Sequence, residues 1–264
     1  MATAQSPFGI TGSINEYSLY RMRGVDKVIL RKKGGPRKAD IKTAKNFINV
    51  RRQNAEFGAA AKSGADIRMA IRPVIHTAEP FFSGRMNALA GKICKLSDTG
   101  SWGERPILVS KYRHLLEGMN LNSKMIFNSI MRQSLPVEFD RDNGKAVLHL
   151  PALTTGLNFC VPSQYPLYQF TISLGVITDM GFGEKEHAPV SKKKYDTEQM
   201  STDWYPSRSD RAAQDIELNL ARFTTLAEGQ TMIQAMAIDF GNPTVGGGAE
   251  RIKYAGSGIV LAMG

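Results

Sequence analysis

The sequence predicts an α+β protein: an N-terminal β-hairpin and helical region followed by an antiparallel β-sandwich or barrel. Two observations carry that prediction. Apolar side chains between residues 41 and 96 recur at helical spacing. From Pro136 onward, at least six short runs alternate with period two between turn signals. The change of pattern sets an expected boundary near residue 135, with residues 1–135 as a basic hairpin-plus-helical region and residues 136–264 as an antiparallel β-sandwich domain.

The elements follow in chain order. Ile10, Gly12, Ile14, Tyr17 and Leu19 read as one extended strand, and Val28-Ile29-Leu30 as its partner. The turn between them spans Arg21 to Asp26, with Gly24 available for a positive φ. Gly34-Gly35-Pro36 then breaks regular structure inside a basic loop, Arg31, Lys32, Lys33, Arg37 and Lys38. Residues 41–63 read as a helix that Gly64 ends or bends, and Ala65 to about Thr77 as a second one kinked or shortened by Pro73. A third helix is expected over 83–96, followed by a loop that contains Trp102. Residues 107–118 form a short apolar segment, and the methionine-rich stretch 119–135 suits a core or an interface.

In the second half, Asp142-Asn143-Gly144 is the strongest hairpin-turn signal. Tyr168–Thr178 is a long strand of aromatic and β-branched residues. Residues 181–210, with Lys192-Lys193-Lys194, Trp204 and Tyr205, read as a long exposed excursion. Asp215–Thr224 alternates, Gln230–Phe240 is apolar on both faces and so central, and Arg251–Tyr254 with Ile259–Met263 reads as a closing hairpin.

Charge is uneven along the chain. The whole carries +10, but residues 1–135 hold 23 Lys and Arg against 9 Asp and Glu, while residues 136–264 hold 11 against 15. A basic half joined to a mildly acidic one implies either a nucleic-acid face or complementary surfaces that meet. Arg51, Arg52, Lys62, Arg68 and Arg72 line the two expected helices and extend the basic loop. Paired basic helices can meet phosphates, yet no reading helix with Asn, Gln and Arg at base-reaching spacing follows them. Trp102, Trp204 and Tyr205 stand as candidate interface aromatics.

Familiar catalytic patterns do not occur. Gly84 to Ile93 has the wrong spacing for a phosphate loop and lacks its Ser/Thr. Gly246-Gly247-Gly248 precedes a strand and reads as a turn, and Asp239-Phe240-Gly241 matches the kinase triplet by letters alone. His76, His114, His149 and His187 show no metal spacing, and Cys94 and Cys160 no metal or redox spacing. The expectation is therefore a non-enzyme with no cofactor. No apolar run reaches the roughly 20 residues of a membrane span. MATAQSPFGITGS lacks the basic and apolar regions of a Sec signal, so the cytoplasm is the default expectation, with a non-standard export route left open.

The pattern Gly12-x-Ile14, Tyr20, Lys33-Gly34-Gly35, Asn46-Phe47, Arg51, Glu56-Phe57-Gly58, Ala60-Ala61-Lys62-x-Gly64, Arg68-x-Ala70-x-Arg72-Pro73 resembles an uncharacterised protein family of similar length from Bacteroidota genomes. The resemblance covers about the first 75 residues. It implies a bacterial protein and assigns no residue a role.

Three readings from different classes follow. The first is a self-assembling structural protein, a subunit of a tube, filament or shell-like homo-oligomer joined through complementary basic and acidic surfaces. The second is a nucleic-acid-binding protein that uses the basic half. The third is a ligand- or glycan-binding β-sandwich module.

Overall fold

The computed structural model describes residues 2–4, 11–22, 24–191, 196–222 and 225–264, the first three by backbone alone. Ile10, Lys192-Lys193-Lys194 and Thr224, named above within strands and loops, lie outside the described residues. The architecture is α+β, and its strands form open sheets rather than a closed barrel. The chain divides into two compact units, Met1–Arg51 and Arg52–Gly264. The division falls in the first turn of a helix, far from the change of pattern near residue 135.

The first unit is a four-stranded antiparallel sheet, not a two-stranded hairpin. Its strands are β1 (Ala2–Ala4), β2 (Gly12–Ile14), β3 (Tyr17–Arg21) and β4 (Val28–Lys32), in the order β1-β4-β3-β2. The expected single strand up to Leu19 is split by a turn at Asn15-Glu16, where Asn15 has φ 48°. Asn is the side chain that most readily accepts a left-handed backbone after Gly, so the alternating pattern passes through a reversal. Gly24 takes the positive φ expected of it, 83°. Only Val28 and Ile29 are buried in this unit, among the residues whose side chains are described. A short helix α1 (Lys38–Thr43) and a 3-10 turn (Lys45–Phe47) lead into α2 (Ile48–Ala70).

The second unit begins on α2, which runs unbroken through Gly64. The glycine does not end the helix; it lets a neighbour in. A Cβ at Gly64 would collide with the side-chain oxygen of Asn87 and stand 3.0 Å from the Asn87 backbone nitrogen, so α2 crosses α3 (Phe82–Leu96) at this point. After α2 the chain tightens into a 3-10 turn, Arg72–Thr77, with Pro73 in its first two positions. The second expected helix is therefore the end of α2, which stops at Ala70 short of Pro73 as expected, and proline at the start of the 3-10 turn gives up no needed donor. A 3-10 turn at Arg113–Leu115 and a short helix α4 (Phe127–Ile130) follow, and Phe127, Ile130 and Met131 of the methionine-rich stretch are buried in the core.

Strands β5 (Val137–Asp140) and β6 (Lys145–Leu150) form the hairpin expected around Asn143-Gly144. Strand β7 (Leu167–Thr178) follows, then a short hairpin of β8 (Met180–Phe182) and β9 (His187–Pro189). Strands β10 (Thr197–Ser201) and β11 (Tyr205–Pro206) both pair with β7, so much of the expected exposed excursion is sheet edge. Strand β12 (Gln214–Asn219) pairs with β6 to give a three-stranded sheet, β12-β6-β5. Strand β13 (Gln230–Pro243) lies between β7 and β14 (Ala249–Met263) in the larger sheet, β10-β7-β13-β14. The C-terminal segment is thus one long strand and not a closing hairpin, because β13 offers it a partner along its length.

These parts form layers around β13. Its Met232, Met236, Ile238 and Phe240 share a core with Leu148, Leu150, Ile216 and Leu218 of the three-stranded sheet. The intervening Ile233, Ala235 and Ala237 pack with Ile67, Ile71, Met86 and Ile93 of the helices and their junction. Helices and strands therefore share the cluster on one face of β13, and residues from both sides of position 135 contribute to it. Contact at the helix end is close: a Cβ at Gly175 of β7 would overlap the carbonyl of Ala70, with the carbonyl carbon 2.8 Å away.

The glycines of α2 make a paired test. Gly58 meets nothing within 4 Å of a Cβ, whereas Gly64 meets α3. Gly58→Ala should stabilise the protein by up to about 1 kcal/mol through helix propensity. Gly64→Ala should destabilise it by about 1–3 kcal/mol through overpacking. Urea unfolding reads both, and a stabilising effect at Gly64 would contradict the helix crossing described here.

Candidate functional site

The ten basic residues singled out by the sequence fall into two groups. Every residue from Arg31 to Asp40 is exposed, so Arg31, Lys32, Lys33, Arg37 and Lys38 all face solvent around Gly34-Gly35. Lys32 pairs with Glu16 at 3.1 Å, and the Lys33 ammonium donates to the Asn15 carbonyl at 3.0 Å. Arg31, Arg37 and Lys38 have no ionic or hydrogen-bonding side-chain partner among the described residues. The charge divides at the same place as the fold. Residues 1–51 hold 11 Lys and Arg against 3 Asp and Glu, a net +8, while residues 52–264 hold 23 against 21, a net +2.

The helical cations divide between the fold and solvent. Arg51 donates from Nη1 to the carbonyls of Ile41 and Ala44, both at 2.9 Å, and so satisfies backbone acceptors around the end of α1. Arg68 donates to Asn87 Oδ1 at 3.1 Å and to the Ser83 carbonyl at 3.4 Å, tying α2 to α3. These two arginines hold the fold together. Arg52, Lys62 and Arg72 remain exposed.

Arg52 lies 5.9 Å from the centre of the Trp102 ring, which joins two of the candidate residues. The Trp102 loop is fastened beneath them by Glu56, a buried carboxylate on α2. Glu56 accepts from Arg105 at 2.7 and 2.8 Å and from the Gly103 amide at 2.9 Å. Burial alone would raise the Glu56 pKa, but the bonds from Arg105 and Gly103 outweigh it and hold the carboxyl below its usual range.

The other two aromatics belong to the fold. The Trp204 ring lies over Gly241 of β13, where a Cβ would come within 2.6 Å of it. Tyr205 carries the Arg211 guanidinium 3.7 Å from its ring centre and lies beside Tyr168. Sequence reading missed two other side chains that stand free. Val245, at the tip of the β13–β14 hairpin, and Tyr254, on the same arm, are 110% and 98% exposed. Tyr254 sits in a bulge with φ 62°, a conformation that costs about 1 kcal/mol or more for a residue with a Cβ.

The histidines were also opaque to sequence. His76 bonds the Pro73 carbonyl through Nδ1 at 3.0 Å and the buried Asp239 carboxylate through Nε2 at 2.6 Å, so both its ring nitrogens are engaged. Asp239 also accepts from Thr171 at 3.0 Å. His187 meets the Arg105 carbonyl at 3.0 Å. His149, on the outer face of β6, lies 2.8 Å from Asp215 of β12 and 3.5 Å from Glu138 of β5. The bond to Asp215 raises its pKa. Cys94 is buried beside α2, and burial pushes its thiol up to about 11, away from nucleophile chemistry. Among the described residues, no group of three or more His, Cys, Asp and Glu gathers in a way that could hold a metal ion. No helix among them is long and apolar enough to cross a membrane.

Glu56→Gln should cost about 2–3 kcal/mol at neutral pH, because it leaves Arg105 with a partly buried charge and weaker partners. The folded pKa of Glu56 is lowered, so its contribution is present above the unfolded value near 4.5 and is lost as pH falls through the folded one. Thermal unfolding from pH 7 to pH 3 should show the gap between wild type and variant closing only below about pH 4.5. A gap that stays constant would place the stabilisation elsewhere.

Comparison with protein families, curated proteins and solved structures finds no match for this chain.

Proposed function

We infer that the chain is a self-assembling structural protein, a subunit of a tube, filament or shell-like homo-oligomer joined through complementary basic and acidic surfaces. The observation that carries this reading is the coincidence of two divisions. The unit Met1–Arg51 is compact by itself, and it holds +8 of the total +10. That unit has too little core to be stable by packing alone: Val28 and Ile29 are buried, while Ile14, Tyr17, Ile48 and Val50 are exposed. Its sheet also ends in β2, a strand whose three residues are all exposed. Open strand edges and exposed apolar side chains recruit partners. When the partner surface lies elsewhere on an identical chain, the contact is head-to-tail and generates rings or filaments. The exposed arm that carries Val245 and Tyr254 supports the same reading.

Nucleic-acid binding is the second reading, favoured by the exposed cations around Gly34-Gly35, where Gly35 has φ 108°. Backbone amides and cations at a glycine turn are a phosphate-binding arrangement. The ligand-binding reading keeps little support, because Trp204 and Tyr205 pack within the fold.

Size-exclusion chromatography with light scattering, together with negative-stain imaging, tests the assembly reading. The wild type should run well above its 29.0 kDa monomer mass. Replacing Arg31, Arg37 and Lys38 together by Glu should weaken association by about 10- to 100-fold with no change in circular dichroism. A wild-type monomer at high concentration contradicts the assembly reading. If the wild type is monomeric and binds nucleic acid with an affinity that falls steeply with salt, the second reading replaces it.

A further inference from the structure

The outer face of the three-stranded sheet β12-β6-β5 has no covering layer among the described residues, although its inner face is core. Ala146, Leu148, Leu150, Ile216 and Leu218 point inward and are buried. Their neighbours point outward. In register, Glu138 lies across from Val147 and Val147 across from Glu217. Asp140 lies across from Lys145, and His149 across from Asp215. The face thus carries four carboxylates, Glu138, Asp140, Asp215 and Glu217, against Lys145 and His149.

Both of those side chains already have partners. Lys145 is 3.1 Å from Glu217, and His149 sits between Asp215 and Glu138. The carboxylates keep most of their exposure, 78% for Glu138 and 72% for Asp215. Hydrogen bonds from Asn143 and Lys145 hold the Asp140 and Glu217 carboxyls below their usual range, so both stay ionised in mildly acidic solution. A pleated surface of this sign, backed by a buried core, fits a cationic partner with exposed apolar side chains of its own. The chain supplies one. Its N-terminal unit carries +8, holds Arg31, Arg37 and Lys38 without an ionic or hydrogen-bonding side-chain partner among the described residues, and buries two apolar side chains among those described.

We propose that the outer face of β12-β6-β5 is the acceptor for the basic N-terminal unit of a second copy of this chain. The proposal rests on the assembly reading above and names its acceptor surface. Successive copies then join basic unit to acidic face, a contact that repeats in one direction and leaves one of each surface open at the ends. Ionic contact sets which surfaces meet and how fast they meet.

Two variants test it, alone and mixed. The face variant is Glu138→Lys with Asp215→Lys; the arm variant is Arg31→Glu, Arg37→Glu and Lys38→Glu. Each alone should associate about 10- to 100-fold more weakly than wild type in light scattering. Mixed in equal amounts they should co-assemble, because each offers the surface complementary to the other's altered one. If the face variant assembles as well as wild type, the acceptor lies elsewhere, and the proposal fails while the assembly reading stands. If wild type itself is monomeric, both fail. If the mixture stays monomeric, or the face variant loses melting temperature without changing oligomeric state, the face serves the fold of its own chain and the proposal is overturned. Should the face variant fail to fold, Glu138→Gln with Asp215→Asn keeps the surface uncharged, and it too should associate more weakly than wild type. Unchanged association in that variant overturns the proposal.

Discussion

Strand β13 is the constraint on which the larger unit depends. From Gln230 to Gly241 every residue is buried, so both faces of one strand must find apolar partners. Alternate side chains serve different layers, with Met236 and Ile238 toward the three-stranded sheet and Ala235 and Ala237 toward the helices. The small residues fall on the helical side. Alanine there, with Gly175 on β7, lets the α2 end come close to the sheet. The arrangement carries a polar cost: Gln234 is fully buried, and neither of its side-chain amide atoms has a hydrogen-bond partner among the described residues.

The N-terminal unit follows the opposite rule. It has ordered backbone pairing across four strands but a minimal core, and it collects nearly all of the net charge. A sheet of that kind, facing water on most of its surface, gains little from burial within its own residues. Its exposed cations repel one another and gain from any acidic surface within a Debye length. The larger unit is close to neutral in total yet carries one sheet face rich in carboxylates. Low total charge therefore hides a local surface of the right sign.

Much of the fold was legible because its strongest signals are local. Asn143-Gly144 fixed a hairpin, Tyr168–Thr178 marked a long strand, and Gln230–Phe240 marked one buried on both sides. Local signals also misled where a distant neighbour decides. Gly64 reads as a helix breaker until Asn87 is seen against it. Asn15 hides a strand reversal inside an alternating run. The candidate site was legible only as charge. Arg31 and Arg51 look alike in sequence, yet one is free in solvent and the other caps backbone carbonyls. The acidic face was invisible, because Glu138, His149 and Asp215 come from three strands and meet only through register. Trp204 and Tyr205 drew attention as large aromatics, whereas half-buried contacts with Gly241 and Arg211 give them structural work.

In the proposed assembly, complementary charge joins a basic unit to an acidic face, so salt is its most direct probe. Sedimentation velocity of the full chain across a salt series measures it without any substitution. Species well above 29.0 kDa at low salt, shifting to monomer as salt rises, are the predicted result. A single monomeric boundary at every salt and protein concentration would contradict it.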